Sequence, residues 1–318
     1  MSSTLTLTSI REAHARIASR ILRTPVLSSE QLDQEAGGSL RFKCENLQAI
    51  GAFKARGATN AVFALPDEAA ARGVATHSSG NHAAALARAA RLRGIPAYIV
   101  MPSNSPQQKI RNVQRQGGLI TFCEPTQSAR ERASAQIVEQ TGAAFIHPYE
   151  NFEVMAGQGT AALELLEEFP QLDLILCPVG GGGLLAGTAV AARALSPTIQ
   201  VIAVEPEQAD DAFRSFHAGQ VVPQTARTIA DGLRTLVGVP NLSLMRKHVH
   251  DIVTVSEASI IAAMRCLWEE LKVVVEPSGA VAYAAILEGR VKLAGRSAGL
   301  LLTGGNVDLD RLPWQTAP

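Results

Sequence analysis

A surplus of charge of either sign is missing from this sequence, whose 29 Lys and Arg residues are matched by 29 Asp and Glu over 318 positions. Nucleic-acid binding rests on a basic excess, so no nucleic-acid partner is expected. Long apolar runs are missing as well. No stretch reaches the roughly 18 residues that a membrane helix needs, and the opening MSSTLTLTSIREAHARIASRI has no signal-type apolar core. Neither a membrane span nor a membrane partner is expected. Cysteine is scarce: Cys44, Cys123, Cys177 and Cys266 stand far apart with no CxxC pair. That spacing speaks against a zinc site or a disulfide framework and suits reduced thiols in the cytoplasm.

What the chain has is a hydrophobic fraction of 47 % over a length sufficient for two compact domains. Strand-like and helix-like stretches alternate along it. Ile10, Ala13, Ile17 and Ile21 recur at helical spacing behind a possible cap at Ser9. Strands are expected at Leu40–Cys44, Val74–Thr76, Ala97–Val100, Leu119–Phe122, Leu172–Cys177, Val201–Val204 and Ala298–Leu302. Helices are expected from near Lys54 and at Ala83–Arg93, Gln107–Gln116, Ala129–Thr141, Ala161–Glu168, Leu184–Ala194, Ile260–Leu271 and Ala280–Leu287. Strands apolar on both faces, alternating with helices, imply an α/β fold with covered parallel sheets.

Four junctions carry residue types with chemical uses. In Gly51-Ala52-Phe53-Lys54-Ala55-Arg56-Gly57-Ala58, a lysine beside Phe53 sits at a loop-to-helix junction. Desolvation there lowers an amine's pKa, and a neutral amine forms a Schiff base with a carbonyl; a solvated lysine on a first helical turn is the plainer reading. Gly180-Gly181-Gly182-Gly183-Leu184 follows the apolar strand. Its backbone N–H groups, with the dipole of the next helix, suit an anion, although a tight turn needs glycine too. The run is neither a dinucleotide fingerprint nor a Walker loop, since no Gly-Lys-Ser/Thr follows. His77-Ser78-Ser79-Gly80-Asn81-His82 joins a strand to a helix, where amides suit a carboxylate and Ser78 or Ser79 suits a helix cap. Leu302-Thr303-Gly304-Gly305-Asn306 ends the last strand on a hydroxyl and two glycines.

Taken together and in this order, the four segments resemble those of the fold-type II pyridoxal 5′-phosphate (PLP) enzymes, specifically the serine/threonine dehydratase and serine racemase group. The resemblance runs from Arg23-Thr24-Pro25 to Asn306-Val307-Asp308. It implies a tryptophan synthase β-like architecture of two parallel-sheet domains. The large PLP-binding domain is expected from residues 1–68 and 150–318, and a small mobile domain from 69–149, in a homodimer. It also implies that Lys54 holds PLP and acts as base, with Phe53 beside the ring. Gly180, Gly181, Gly182, Gly183 and Leu184 would cradle the phosphate, Asn81 would meet the 3′ oxygen, and Thr303 the pyridine nitrogen. Gly232 and Glu276 would line the cofactor pocket. A hydroxyl at position 303 would not keep that nitrogen protonated, which tempers the electron sink and favours β-elimination. Ser78, Ser79, Gly80, Asn81 and His82 would grip the substrate carboxylate. Ser79 also matches an acid/base serine on the opposite cofactor face. Glu205, Ala209 and Asp211, in Glu205-Pro206-Glu207-Gln208-Ala209-Asp210-Asp211, match an Mg²⁺ or Ca²⁺ site of oxygen donors; an acidic helix start is the alternative.

Two positions depart from the family wording: Ala52 replaces a serine and Ala84 a glutamine, which enlarges the pocket and admits bulkier substrates such as phenylserine. Arg130 matches an arginine able to meet a second carboxylate, as in 3-hydroxyaspartate, or is an exposed helix charge beside Glu131 and Arg132. The expected activity is β-elimination of water from small L-β-hydroxy amino acids such as serine or threonine, giving 2-oxo acid and ammonia. Racemisation through Lys54 and Ser79 is the rival. A β-replacement synthase fits the segment wording less well. A non-catalytic metabolite binder would be expected to lack the lysine or the cradle.

Overall fold

The computed structural model describes residues 4–78 and 80–315. Among the described residues ten strands form two sheets: β1 (Val26–Leu27), β2 (Ser39–Lys43), β3 (Val74–His77), β4 (Ala97–Pro102), β5 (Leu119–Cys123), β6 (Ala144–Phe145), β7 (Leu174–Pro178), β8 (Gln200–Pro206), β9 (Asp251–Val255) and β10 (Ser297–Leu301). The larger sheet has the order β1-β2-β10-β7-β8-β9, and the smaller has β5-β4-β3-β6. Every pairing is parallel except β1 with β2. The α/β class expected from the alternating pattern is therefore the class of the fold. Strand β7 is buried at all five positions, as a central strand covered on both faces must be.

Several boundaries differ from the expectation. Thr6, not Ser9, caps the first helix, Leu7–Ile17: its hydroxyl accepts from Ser9 N at 3.1 Å, and Ser9 Oγ accepts from Thr6 N at 3.0 Å in return. The helix expected over Ala161–Glu168 begins nine residues earlier, at Phe152, capped by Asn151 Oδ1 on Val154 N at 3.0 Å. Gly157 and Gly159 hid that start, yet both are there for closeness. A Cβ at Gly157 would stand 2.6 Å from the Gly57 backbone, and one at Gly159 2.8 Å from Gly187 O. The helix Phe152–Glu168 thereby lies against both Lys54–Ala64 and Gly183–Leu195.

Under the first turn of the Lys54 helix lies a buried ionic knot. Arg56, fully buried, donates to Glu45 through Nε and Nη2, both at 2.7 Å, and to Glu164 through Nη1 at 2.8 Å and Nη2 at 2.7 Å. Lys43 Nζ adds a bond to Glu164 Oε2 at 2.7 Å, and Thr24 Oγ1 donates to Glu45 Oε1 at 2.6 Å. Burial alone would pull the Arg56 guanidinium down, but the carboxylates of Glu45 and Glu164 raise it. Burial would likewise push Glu164 up; its bonds from His14 and Arg56 and the charge of Lys43 hold it well below the usual carboxylate range. Buried charge is tolerated where it is paired and hydrogen-bonded, and this knot meets both conditions.

Candidate active site

The loops that leave β3, β7 and β10 converge with the start of the Lys54 helix around a cavity of about 610 Å³. Ligand crevices of open parallel sheets lie at the carboxyl ends of the strands, as this one does. Lys54, Phe53, Asn81, Thr303, Gly232 and Glu276 line it, as do the glycine loop Gly180–Gly183 and Leu184. Ser78, Gly80, His82 and Arg130 border it as well. Ser79 lies outside the described residues.

Lys54 is the first residue of its helix. Burial lowers its amine from the ordinary 10.5 to about 8, and no carboxylate is near enough to restore it. Nζ donates to Pro148 O at 3.0 Å and stands 5.1 Å from the Phe53 ring centre. The Phe53 N–H donates to Thr303 O at 3.0 Å, which ties the start of the lysine helix to the end of β10.

Asn81 is held from two sides. Its Nδ2 donates to Glu276 Oε1 and its Oδ1 accepts from Asn306 Nδ2, both at 2.9 Å. Glu276 Oε2 accepts from Asn306 N at 3.1 Å. Burial, reinforced by the charge of Asp231, raises Glu276 to about 8, so it is largely neutral at pH 7. His82 is 2 % exposed; its Nε2 lies 3.4 Å from Ile146 O while its buried Nδ1 has no partner among the described residues. Burial, with Lys54 nearby, holds His82 well below its ordinary value and therefore neutral. Arg130 is not an exposed helix charge: it borders the cavity, and its buried Nε has no hydrogen-bond partner among the described residues.

In the glycine loop, Gly182 has φ of 89°, and a Cβ on Gly181 would stand 2.4 Å from the Tyr149 ring. Gly183 begins a helix of 13 residues, so unpaired N–H groups of its first turn face the cavity end. Among the described residues no side chain caps the helix after β3: Gly80 is its N-cap, and Ser78 Oγ accepts from Gly80 N at 3.3 Å.

Glu205, Ala209 and Asp211 gather elsewhere, at the carboxyl end of β8. Glu205 accepts from Ala212 N at 3.2 Å and Phe213 N at 2.9 Å, and Asp211 from Val237 N at 2.7 Å. Burial, then the charge of Asp211, raises Glu205 to about 9; burial raises Asp211 to about 6. Among the described residues no three His, Cys, Asp or Glu side chains group as a metal site. The expected donor set uses two carboxylates and one backbone carbonyl.

Sequence reasoning missed Tyr149, Asn306 and the Lys109–Asp231 ion pair, all bordering the cavity. Asn306 stood in a quoted segment without a role. The other residues act through partners remote in sequence, which no local pattern signals.

These elements define a cleft enzyme whose lysine amine faces an anion cradle, and comparison places it among known proteins. The family described as "Pyridoxal-phosphate dependent enzyme" matches residues 17–304, and the chain belongs to it. It is 52 % identical over 305 residues to the beta-hydroxyaspartate dehydratase of Paracoccus denitrificans (strain Pd 1222), covering 95 % of this chain and 96 % of that one. It is 50 % identical over 310 residues to the serine racemase of Arabidopsis thaliana, covering 96 % and 94 %. Among solved structures it resembles maize serine racemase with a TM-score of 0.94 and 47 % identity, over 96 % of this chain and 95 % of that one. The residues fit the group that names the family. The amine titrates near 8, the loop admits only glycine beside Tyr149, and the cavity has the size of a cofactor site.

Proposed function

We propose that this chain eliminates water from β-hydroxy amino acids using PLP linked to Lys54, yielding 2-oxo acid and ammonia. The observation that carries the reading is an amine lowered to about 8 opposite a glycine cradle in one cavity. Bound there, PLP supplies an electron sink that acidifies the α-hydrogen of a linked amino acid. Lys54 Nζ takes that proton as general base, its lowered pKa making the neutral amine available near pH 8. The N–H groups of Gly180–Gly183 and the Leu184 helix start would hold the phosphate. Asn81, oriented by Glu276 and Asn306, would meet the 3′ oxygen, and Thr303 would meet the ring nitrogen, with Phe53 and Gly232 lining the same cavity. The Ser78–His82 segment takes the substrate carboxylate. The β-hydroxyl departs as water, the proton it takes up offsetting the one Lys54 removes from the α-carbon, and a second water hydrolyses the unsaturated amine to the oxo acid and ammonia. Residues 69–149 close over the substrate and exclude water.

One observation favours a narrower substrate. Arg130 presents an unpartnered buried Nε at the cavity, which suits the second carboxylate of 3-hydroxyaspartate. The name of the Paracoccus relative agrees. We assign Mg²⁺, with Ca²⁺ as the other hard-cation choice, to Glu205, Asp211 and the Ala209 carbonyl. Two buried carboxylates raised together are short of positive charge. We assign the chain to a homodimer: Leu22, Leu47 and Val274 are exposed apolar side chains on segments joined by bonds from Gln48 to Leu22 O and from Asn46 to Val274 O. Four free cysteines support a cytoplasmic location, and no helix among the described residues is long and apolar enough to cross a membrane. Its partner is a small amino acid, with no nucleic acid or membrane involved.

The test incubates the PLP-loaded enzyme with L-serine, L-threonine, L-threo-3-hydroxyaspartate and L-threo-phenylserine, assaying oxo acid and inverted amino acid, with Lys54→Ala as blank. Oxo acid in large excess supports the dehydratase and names its substrate. Mainly inverted amino acid overturns it in favour of racemisation, with Ser79 returning the proton.

A further inference from the structure

We propose that Asn241 is a positioning residue that ties the amine side of the active site to its anion cradle, so that one side chain sets both cofactor linkage and phosphate capture. The proposal rests on the roles of Lys54 and the glycine loop given above. Asn241 is fully buried in the first turn of helix Val239–His248. Its Nδ2 donates to Tyr149 O at 3.1 Å and to Gly181 O at 2.5 Å. Those carbonyls belong to the two halves of the site. Gly181 lies within the cradle, and Tyr149 follows Pro148, whose carbonyl receives the Lys54 amine at 3.0 Å.

Only a group with two hydrogens can serve both, because each partner is a carbonyl oxygen with none to give. In a planar trans peptide the N–H of Gly182 points opposite the C=O of Gly181, so holding that carbonyl aims that N–H. Other tethers act on one side alone. His147 Nδ1 accepts from Tyr149 N at 3.4 Å and Glu150 N at 2.9 Å, and Glu150 Oε1 accepts from Val239 N at 3.2 Å. Gly238 N donates to Gly181 O at 3.1 Å. Asn241 bridges the 147–150 segment and the loop with one amide. Its seat is also tight, since a Cβ on Gly182 would come within 3.0 Å of Asn241 Cβ.

The experiment compares apoprotein of the wild type, Asn241→Ala, Asn241→Asp and Lys54→Ala. Measured quantities are the PLP dissociation constant, the pH titration of the lysine-linked cofactor's visible absorbance, and apoprotein Tm. Asn241→Ala is expected to weaken PLP roughly tenfold, the size of losing two buried hydrogen bonds, and to shift the absorbance titration. Asn241→Asp, isosteric but without the NH₂, loses at least as much. A lowered Tm with unchanged PLP affinity and titration would make Asn241 a packing residue and overturn the proposal. Linkage absorbance persisting in Lys54→Ala would instead overturn the reading of Lys54. Wild-type hydrogen exchange decides independently of any variant. Inorganic phosphate must slow exchange in peptides spanning 147–150 as well as 180–183, and protection confined to 180–183 contradicts the bridge.

Discussion

Lys54 and Arg56 stand two residues apart on one helical turn and meet opposite surroundings. Arg56 is wrapped by Glu45 and Glu164 and keeps its charge; Lys54 has a single carbonyl acceptor and is held near the point of losing its charge. The same contrast separates the two regions to which they belong. Below the turn, every charge is answered by a hydrogen-bonded partner. Above it, Lys54, Glu276, His82 and Arg130 are left incompletely answered around a cavity, and groups so left are the ones available to a cofactor and substrate. The knot fixes where the helix starts, and the start of the helix fixes where the reactive amine stands.

The comparison breaks first at its sharpest point. Lys54→Ala is expected to lower turnover by at least about 10³-fold while urea denaturation shifts by less than about 1 kcal/mol. Arg56→Met should do the reverse in kind. Leaving Glu45 buried without a cationic partner, while Glu164 keeps Lys43 and His14, costs about 3–5 kcal/mol, seen in urea midpoints, before any effect on chemistry. A variant that kept its stability would mean that the knot is dispensable. Arg130→Ala sharpens the description of the cavity side: kcat/KM for 3-hydroxyaspartate should fall roughly tenfold or more, with serine changed by about twofold or less.

Two pH measurements give smaller effects. The Lys54 amine is depressed from 10.5 to about 8, so its neutral, nucleophilic form grows as pH rises through 8. Aldehyde capture by the apoprotein should rise about tenfold per pH unit below 8 and level off above it; an ordinary lysine would keep rising to about 10. Glu276 is raised from 4.5 to about 8, so the folded state holds a proton that the unfolded chain has released between those values. Stability contributed by this group is complete below about 4.5 and declines as pH rises to about 8. Glu276→Gln, isosteric and without the titrating group, should flatten that decline.

Features that depend on residue type at a strand–helix junction could be read directly. The glycines after β7, the lysine after Phe53 and the Thr303-Gly304-Gly305 turn announce a backbone or chemical need in their own letters. The central strands were legible for the same reason, being apolar throughout. Strand β9 was not, because Asp251-Ile252-Val253-Thr254-Val255 is an edge strand with one exposed and two half-buried positions and no continuous apolar run. Tyr149 and Asn241 were silent because their roles exist only across folds of the chain, against Gly181. Arg130 was ambiguous in sequence since helix periodicity does not say which face meets a cavity.

The central claim is that Lys54 is the residue that carries the cofactor. Reduction of the PLP-loaded enzyme with borohydride, followed by digestion and mass spectrometry, tests it most directly. The account predicts the phosphopyridoxyl mass on the peptide containing Lys54. The same mass on another lysine, with the Lys54 peptide unmodified, would contradict it.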